Sequence, residues 1–336
     1  MSISKRIKNF KIHTILNFQA NAARRRLFRE LRNASGPIIV GPWISEVGFE
    51  LLYWIPFLQW AREVLGMKKE RVIVVSRGGV SSWYKNIASD YRDIFDYVSP
   101  EEFARFDRAR KIRRHLHMHA FEKRILEMSV RDAGPKRYTL IHPSLMYRMF
   151  MPFWKQRASI GLVKAYTKFE PFQPEHFDSA SLGFPKEYAA AKFYFNQAFP
   201  ETEETKRSIH AILETISKKI PVVLLNSSDI SLDDHTHFHG VSAQNMFDIK
   251  KHLTARNNLD MQTNIISRAR FFVGNYGGFS YLPSLLGIPS FGFYAQGNFS
   301  RNHTDFSTRI FSGHPFPYGA LTLLHIKDYN ALAHLF

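Results

Sequence analysis

The chain has 336 residues, 45% hydrophobic and 22% charged, the make-up of a packed globular protein of about two domains, and this excludes disorder across its whole length. Lys and Arg outnumber Asp and Glu by 46 to 29, a net charge of +17, so the surface attracts polyanions: nucleic acid, anionic lipid or a phosphorylated ligand. There is no cysteine, which excludes disulfides, thiolate zinc sites and cysteine nucleophiles and fits a reducing compartment.

Residues 1–35 hold Lys5, Arg6, Lys8, Lys11, Arg24, Arg25, Arg26, Arg29 and Arg32 against a single acid, Glu30. Ile7, Phe10, Ile12, Ile15, Leu16 and Phe18 interleave with the first basic group. The pattern predicts a basic, partly amphipathic helix, either a solvated leader or an attachment to an anionic membrane surface. No run reaches the ~18 apolar residues of a membrane span, and the N-terminus lacks the apolar core of a signal peptide. The expected location is cytoplasmic, peripheral on the inner face of the membrane. No nucleic-acid recognition motif is present, so no nucleic-acid partner is expected.

Pro37 to Val40 reads as a short buried strand, followed by the turn Gly41-Pro42-Trp43. From Glu46 to Leu65, Phe49, Leu52, Tyr53, Pro56, Phe57, Trp60 and Val64 recur at helical spacing, and Gly66 ends the helix. Arg71 to Val75 is a second strand, closing a βαβ unit at Ser76-Arg77-Gly78-Gly79. Residues 80–180 carry a weaker pattern. Arg105 to Arg124 predicts one basic helix, on which His115, His117 and His119 alternate and so share no face for a metal.

A second alternating block begins near Pro185. Tyr188 to Phe195 predicts a strand, and acids followed by lysines predict a helix from Pro200 to Lys219. Pro221 to Asn226 is a further strand; Met261 to Ala269 is a helix, Arg270 to Gly274 a strand, Ser280 to Leu286 a helix and Ser290 to Tyr294 a strand. The fold expected is α/β, with two doubly wound parallel-sheet, Rossmann-like domains facing a cleft. The expected boundaries are a basic helix at 1–35, a first domain at 36–180, a second domain at 186–300, and a C-terminal segment at 301–336.

Three segments carry candidate chemistry. Asn275-Tyr276-Gly277-Gly278-Phe279-Ser280 joins a buried strand to a helix. Paired glycines there either cradle a phosphate at the helix N-terminus, with Ser280 as cap or donor, or simply make a tight turn. Glu46 and Glu50 lie four apart near a helix start, at the mouth of the first sheet, where a carboxylate can act as general base or answer the helix dipole. Asp233, Asp234 and His235 lie in a polar loop able to meet a sugar hydroxyl; with no matching ligand set elsewhere, no metal is expected. Lys192, at the end of a buried strand, is a cation in need of an anion.

Together the first two segments resemble bacterial lipopolysaccharide heptosyltransferases and surface-polysaccharide glycosyltransferases of GT-B type. That family carries F-V-G-N-D-S-G, then a helix, G-x-P and a strand; here Phe272-Val273-Gly274-Asn275-Tyr276-Gly277-Gly278 runs on to Gly287-Ile288-Pro289, with Tyr276-Gly277 in place of the acid–serine pair. The family's first domain has G-D six residues before a proline, and here Glu50 stands six before Pro56. The resemblance implies that Lys192, Asn275, Tyr276, Gly277, Gly278 and Ser280 bind the donor. It implies Glu50 as general base, with Glu46 orienting it or meeting the acceptor. It also implies that 36–180 is the acceptor-side domain and 186–300 the nucleotide-sugar domain, with 301–336 packing back on the first domain. The activity implied is metal-independent transfer of a sugar from a nucleotide-sugar substrate, with no separate cofactor, to a glycan or lipid-linked acceptor in polysaccharide synthesis. Another sugar-nucleotide or polysaccharide-modifying enzyme, or a non-enzymatic polyanion-binding protein, is the alternative.

Overall fold

The structure is a computed structural model that describes residues 3–109, 116–174, 182–196, 198–225, 236–238, 245–297, 300–312 and 319–335. Helix α1 (Ile3–Arg32) leads into β1 (Ile38–Val40). A continuous helical run follows: α2 (Val47–Phe49), a π turn (Glu50–Trp54) and α3 (Ile55–Leu65). Then come β2 (Val72–Ser76), β3 (Asp90–Asp93), α4 (Pro100–Ala109), α5 (Ala120–Ala133), β4 (Thr139–Ile141), α6 (Ser144–Trp154) and α7 (Ile160–Lys164). The C-terminal half holds β5 (Ala189–Lys192), β6 (Tyr194–Phe195), α8 (Glu203–Ser217), β7 (Val222–Leu224), β8 (Thr236–His237) and β9 (Met246–Asp248). It continues through α9 (Asn258–Arg268), β10 (Phe271–Asn275), α10 (Gly278–Leu285), β11 (Ser290–Tyr294), α11 (Arg301–Phe311) and β12 (Leu321–His325).

Two parallel sheets form, as the alternating pattern predicts. The first has the order β3-β2-β1-β4 and the second β12-β11-β10-β5-β7-β9; all their pairings are parallel. Counted from its own first strand, the second sheet reads 3-2-1-4-5-6, the doubly wound order. β1 and β7 are buried at every residue, as strands covered on both faces must be, and this explains their unbroken apolar runs. Alternate residues serve opposite faces: Ile38 and Val40 join a core that reaches across to Ala190, Val223 and Phe272, while Ile39 and Val75 join another on the far side of the first sheet. One aliphatic and aromatic core therefore runs between the two halves.

Two expectations are corrected. The single helix at 105–124 is two, α4 and α5. The second starts only at Ala120, because the Glu122 carboxylate reaches back to accept from the His119 N–H at 2.7 Å and fixes a helix N-terminus there. The segment after 300 does not return to the N-terminal half as a whole. α11 does meet it, through His303 and Phe306 against Tyr53 and an Asn302 bond to the Phe153 carbonyl. β12, however, pairs with β11 as the edge of the second sheet. Among the described residues no helix is long and apolar enough to cross a membrane.

Candidate functional site

In doubly wound sheets a ligand sits beyond the carboxyl ends of the strands, where the strand order reverses. In the second sheet that point lies between β5 and β10, whose last residues are Lys192 and Asn275. Lys192 is 3% exposed. Its Nζ donates to the Leu225 carbonyl at 3.0 Å and to Gln262 Oε1 at 2.7 Å, and it sits 4.3 Å from the centroid of the Phe279 ring. Gln262 is aimed by α9: its Nε2 donates to the carbonyl and Oδ1 of Asn258, one turn earlier. Asn275 accepts at Oδ1 from the Tyr194 N–H, while its buried Nδ2 has no hydrogen-bond partner among the described residues. An orphaned buried donor costs about 1–3 kcal/mol.

The glycine loop is built from within. The Ser280 hydroxyl donates to the Gly277 carbonyl at 2.7 Å and accepts from the Gly277 N–H at 3.3 Å, so it closes the turn that starts α10. Tyr276 turns inward, where its hydroxyl donates to Thr304 and accepts from Tyr281. Neither residue lines the crevice described below.

The first sheet contributes the loop after β2. Arg77 Nη1 lies 3.3 Å from Glu50 Oε2, and Nη2 donates to the Ser45 carbonyl at 2.5 Å. Glu50 is wholly buried on the π turn, and its Oε1 accepts from Ser76 at 2.7 Å and from Tyr84 at 2.5 Å. Burial pushes the Glu50 carboxyl up, while Arg77, Tyr84 and Ser76 pull it back. Burial also pushes up Asp93, against the hydrogen bonds it accepts from Gly79, Phe95 and Tyr91. Through the Gly79 N–H, Asp93 fixes the loop that carries Arg77.

The two mouths meet. Arg77 and Lys192 line one narrow crevice, with Val47, Asn258, Gln262 and Phe279, and it encloses only about 40 Å³, room for a few waters. Around it the halves touch through backbone. A Cβ on Gly278 would stand 2.6 Å from the Gly48 nitrogen, and one on Gly48 2.9 Å from the Gly278 Cα. The Gly78 carbonyl accepts from the Leu259 and Asp260 N–H groups at the start of α9, and Trp83 Nε1 donates to Thr263. A nucleotide-sized ligand enters only if these contacts part.

Of the residues expected from sequence, Lys192 lines the crevice, and Gly278 stands at its margin against Gly48. Glu50, expected as the general base, is wholly buried, with both carboxylate oxygens engaged by Ser76, Tyr84 and Arg77. Glu46 is exposed and lies between Ser45, whose carbonyl holds Arg77, and Val47, which lines the crevice. Asp233, Asp234 and His235 fall outside the described residues. Among the described residues no group of three or more His, Asp or Glu is placed to hold a metal ion. Sequence reasoning missed Arg77, Asn258, Gln262 and Phe279. The one signal for Arg77 was a cation at the end of an apolar strand, the feature that singled out Lys192, here followed by two glycines.

No family model matches the chain, and no curated protein matches it in sequence. Among solved structures it is similar to a family 9 glycosyl transferase from Veillonella parvula, at 11% identity over 89% of this chain and 88% of that one, with a TM-score of 0.45. It is also similar to the E. coli ADP-heptose lipopolysaccharide heptosyltransferase II (9% identity, 90% and 99% covered, TM-score 0.45). A third similar structure is the E. coli heptosyltransferase WaaC with ADP (12% identity, 90% and 98% covered, TM-score 0.43).

Proposed function

We propose that this chain is a glycosyltransferase that moves a sugar from a nucleotide-sugar donor to a hydroxyl of a glycan or lipid-linked acceptor in cell-surface polysaccharide synthesis. One observation carries the reading: two nearly buried cations, Arg77 and Lys192, come from the carboxyl mouths of two doubly wound sheets and face one crevice. A diphosphate is the ligand that such a pair suits, because fixed cations in a dry site stabilise the charge that grows on a departing phosphate. The Asn275 amide and the N-terminus of α10 add further positive potential beside Lys192.

In the reaction the acceptor hydroxyl oxygen forms the new bond to the anomeric carbon. The bond to the diphosphate oxygen breaks, and its electron pair stays on the phosphate, facing Lys192 and Arg77. The hydroxyl proton passes to a carboxylate. Glu46, exposed at the mouth, takes that role here, while buried Glu50 holds Arg77 in place. Closure of the two halves excludes water and so protects the donor from hydrolysis.

The test is a panel of nucleoside-diphosphate sugars, read by thermal shift and by release of nucleoside diphosphate. One donor should raise the melting temperature and be turned over. Glu46→Gln should lower kcat by about 10²–10⁴-fold with donor affinity kept, and Glu50→Gln should act mainly on donor affinity through Arg77. A chain that no donor stabilises, or a Glu46→Gln variant with full turnover, contradicts the assignment.

A further inference from the structure

Four of the six exposed large hydrophobic side chains among the described residues lie on α1: Ile12, Ile15, Phe18 and Phe28, with Phe18 73% exposed. On the inner face of this helix Ala23 and Leu27 are buried in the main core. Apolar side chains thus stand on both faces of α1. At 100° per residue Phe18, Arg25, Arg29 and Arg32 fall on one outward stripe, with Ile15 beside it. Among the described residues Arg25, Arg29 and Arg32 form no salt bridge, and Glu30, the helix's one acid, is taken by Arg26 at 2.7 Å. Beside the stripe lies a surface groove of about 580 Å³ lined by Arg24, Arg25, Phe28, Arg29, Arg32 and Tyr166, where Arg24 donates to the Tyr166 hydroxyl at 2.9 Å.

We infer that the outward face of α1 docks on an anionic phospholipid bilayer, with Ile15 and Phe18 inserted at the headgroup boundary and the arginines on headgroup phosphates. From Ile15 to Arg32 the surface runs about 25 Å along the helix, too long for one small anion. Its aliphatic and aromatic end gains nothing from a nucleic-acid backbone, but it gains burial in a bilayer interface. The surface lies on α1 and on Tyr166 just past α7, apart from the crevice, so its failure leaves the proposed transfer reaction standing.

Full-length protein is sedimented with vesicles of phosphatidylcholine alone and of phosphatidylcholine with phosphatidylglycerol, at low and high salt. Wild type should bind the anionic vesicles alone and be released by salt. Arg25→Gln/Arg29→Gln/Arg32→Gln should bind them about 100-fold more weakly, at ~5-fold per charge. Ile15→Ser/Phe18→Ser should lose at least about 10-fold through the apolar contact. All five side chains are exposed, so both variants should melt like wild type. Equal binding to neutral and anionic vesicles, unchanged binding by both variants, or binding to RNA with none to anionic vesicles overturns the inference.

Discussion

The mouths of the two sheets each present a nearly buried cation, and they treat it differently. In the first sheet Arg77 is matched by the wholly buried carboxylate of Glu50, itself fixed by Ser76 and Tyr84. In the second, Lys192 is held by the neutral oxygens of Leu225 and Gln262 and by the face of Phe279, beside an Asn275 amide whose Nδ2 is unsatisfied. A buried charge costs several kcal/mol to desolvate. The first mouth offsets that cost internally and so presents a fixed guanidinium. The second sets its lysine against the Leu225 carbonyl, the Gln262 amide oxygen and the Phe279 ring. In the proposed reaction Lys192 would be the primary contact for the donor's phosphates, with Arg77 as a rigid second contact.

Removing the compensation in the first mouth should have the largest effect on stability. Glu50→Ala strands Arg77 beside two hydroxyls, and the loss should be about 3–5 kcal/mol, read from urea unfolding. Glu50→Gln keeps an acceptor and should lose less. An Ala variant as stable as wild type would remove the distinction between the mouths.

The contact between the mouths should be the next most sensitive. At Gly278 any Cβ meets the Gly48 backbone at 2.6 Å, so Gly278→Ala must displace one half from the other. It should cost about 1–3 kcal/mol in the same measurement. Gly297→Ala, whose Cβ would meet nothing within 4 Å, serves as its control. Equal midpoints for the two variants would mean that the close approach carries no strain.

The smallest effect is a pH dependence. Burial, its largest cause, raises the Glu50 carboxyl above its ordinary 4.5 despite Arg77, Tyr84 and Ser76. The folded chain therefore keeps this proton to higher pH than the unfolded chain does. The associated stability is fully present below 4.5 and falls as pH rises through the raised value. Wild type measured against Glu50→Gln should lose relative stability across that window and then level off; Asp93, common to both proteins, cancels. A relative stability that rises with pH would mean that Arg77 outweighs burial.

The parts of this arrangement that were legible in the sequence are those whose physics is local. Ser290 to Tyr294 forms its strand end to end as expected, because an apolar run between Pro289 and a polar loop has no other covered place to go. β3 was missed because Asp90-Tyr91-Arg92-Asp93 is an edge strand with charged side chains, pairing on one side only. Glu50 was found by its position before Pro56, but the partners that engage it were not. Its partners Ser76, Arg77 and Tyr84 lie 26 to 34 residues away, and the π turn that buries it leaves no mark in a helical periodicity. Lys192 was visible as a cation on an apolar strand, whereas Gln262 and Asn258, which aim it, look like any polar pair on a helix. Ser280 was legible as either cap or phosphate donor, and in the fold its hydroxyl closes the Gly277 turn, a choice the residue type leaves open.

The central claim is that Lys192 receives a diphosphate, and calorimetric titration of wild type and Lys192→Met tests it most directly. The titrants are a panel of nucleoside diphosphates, each with its matching nucleoside. The account predicts that one diphosphate binds wild type at least about 10-fold tighter than its nucleoside. It further predicts that Lys192→Met loses about 10–100-fold of the diphosphate affinity, the worth of a hydrogen bond to a charged group, while nucleoside affinity is unchanged. A Lys192→Met variant that binds the diphosphate as tightly as wild type would contradict it.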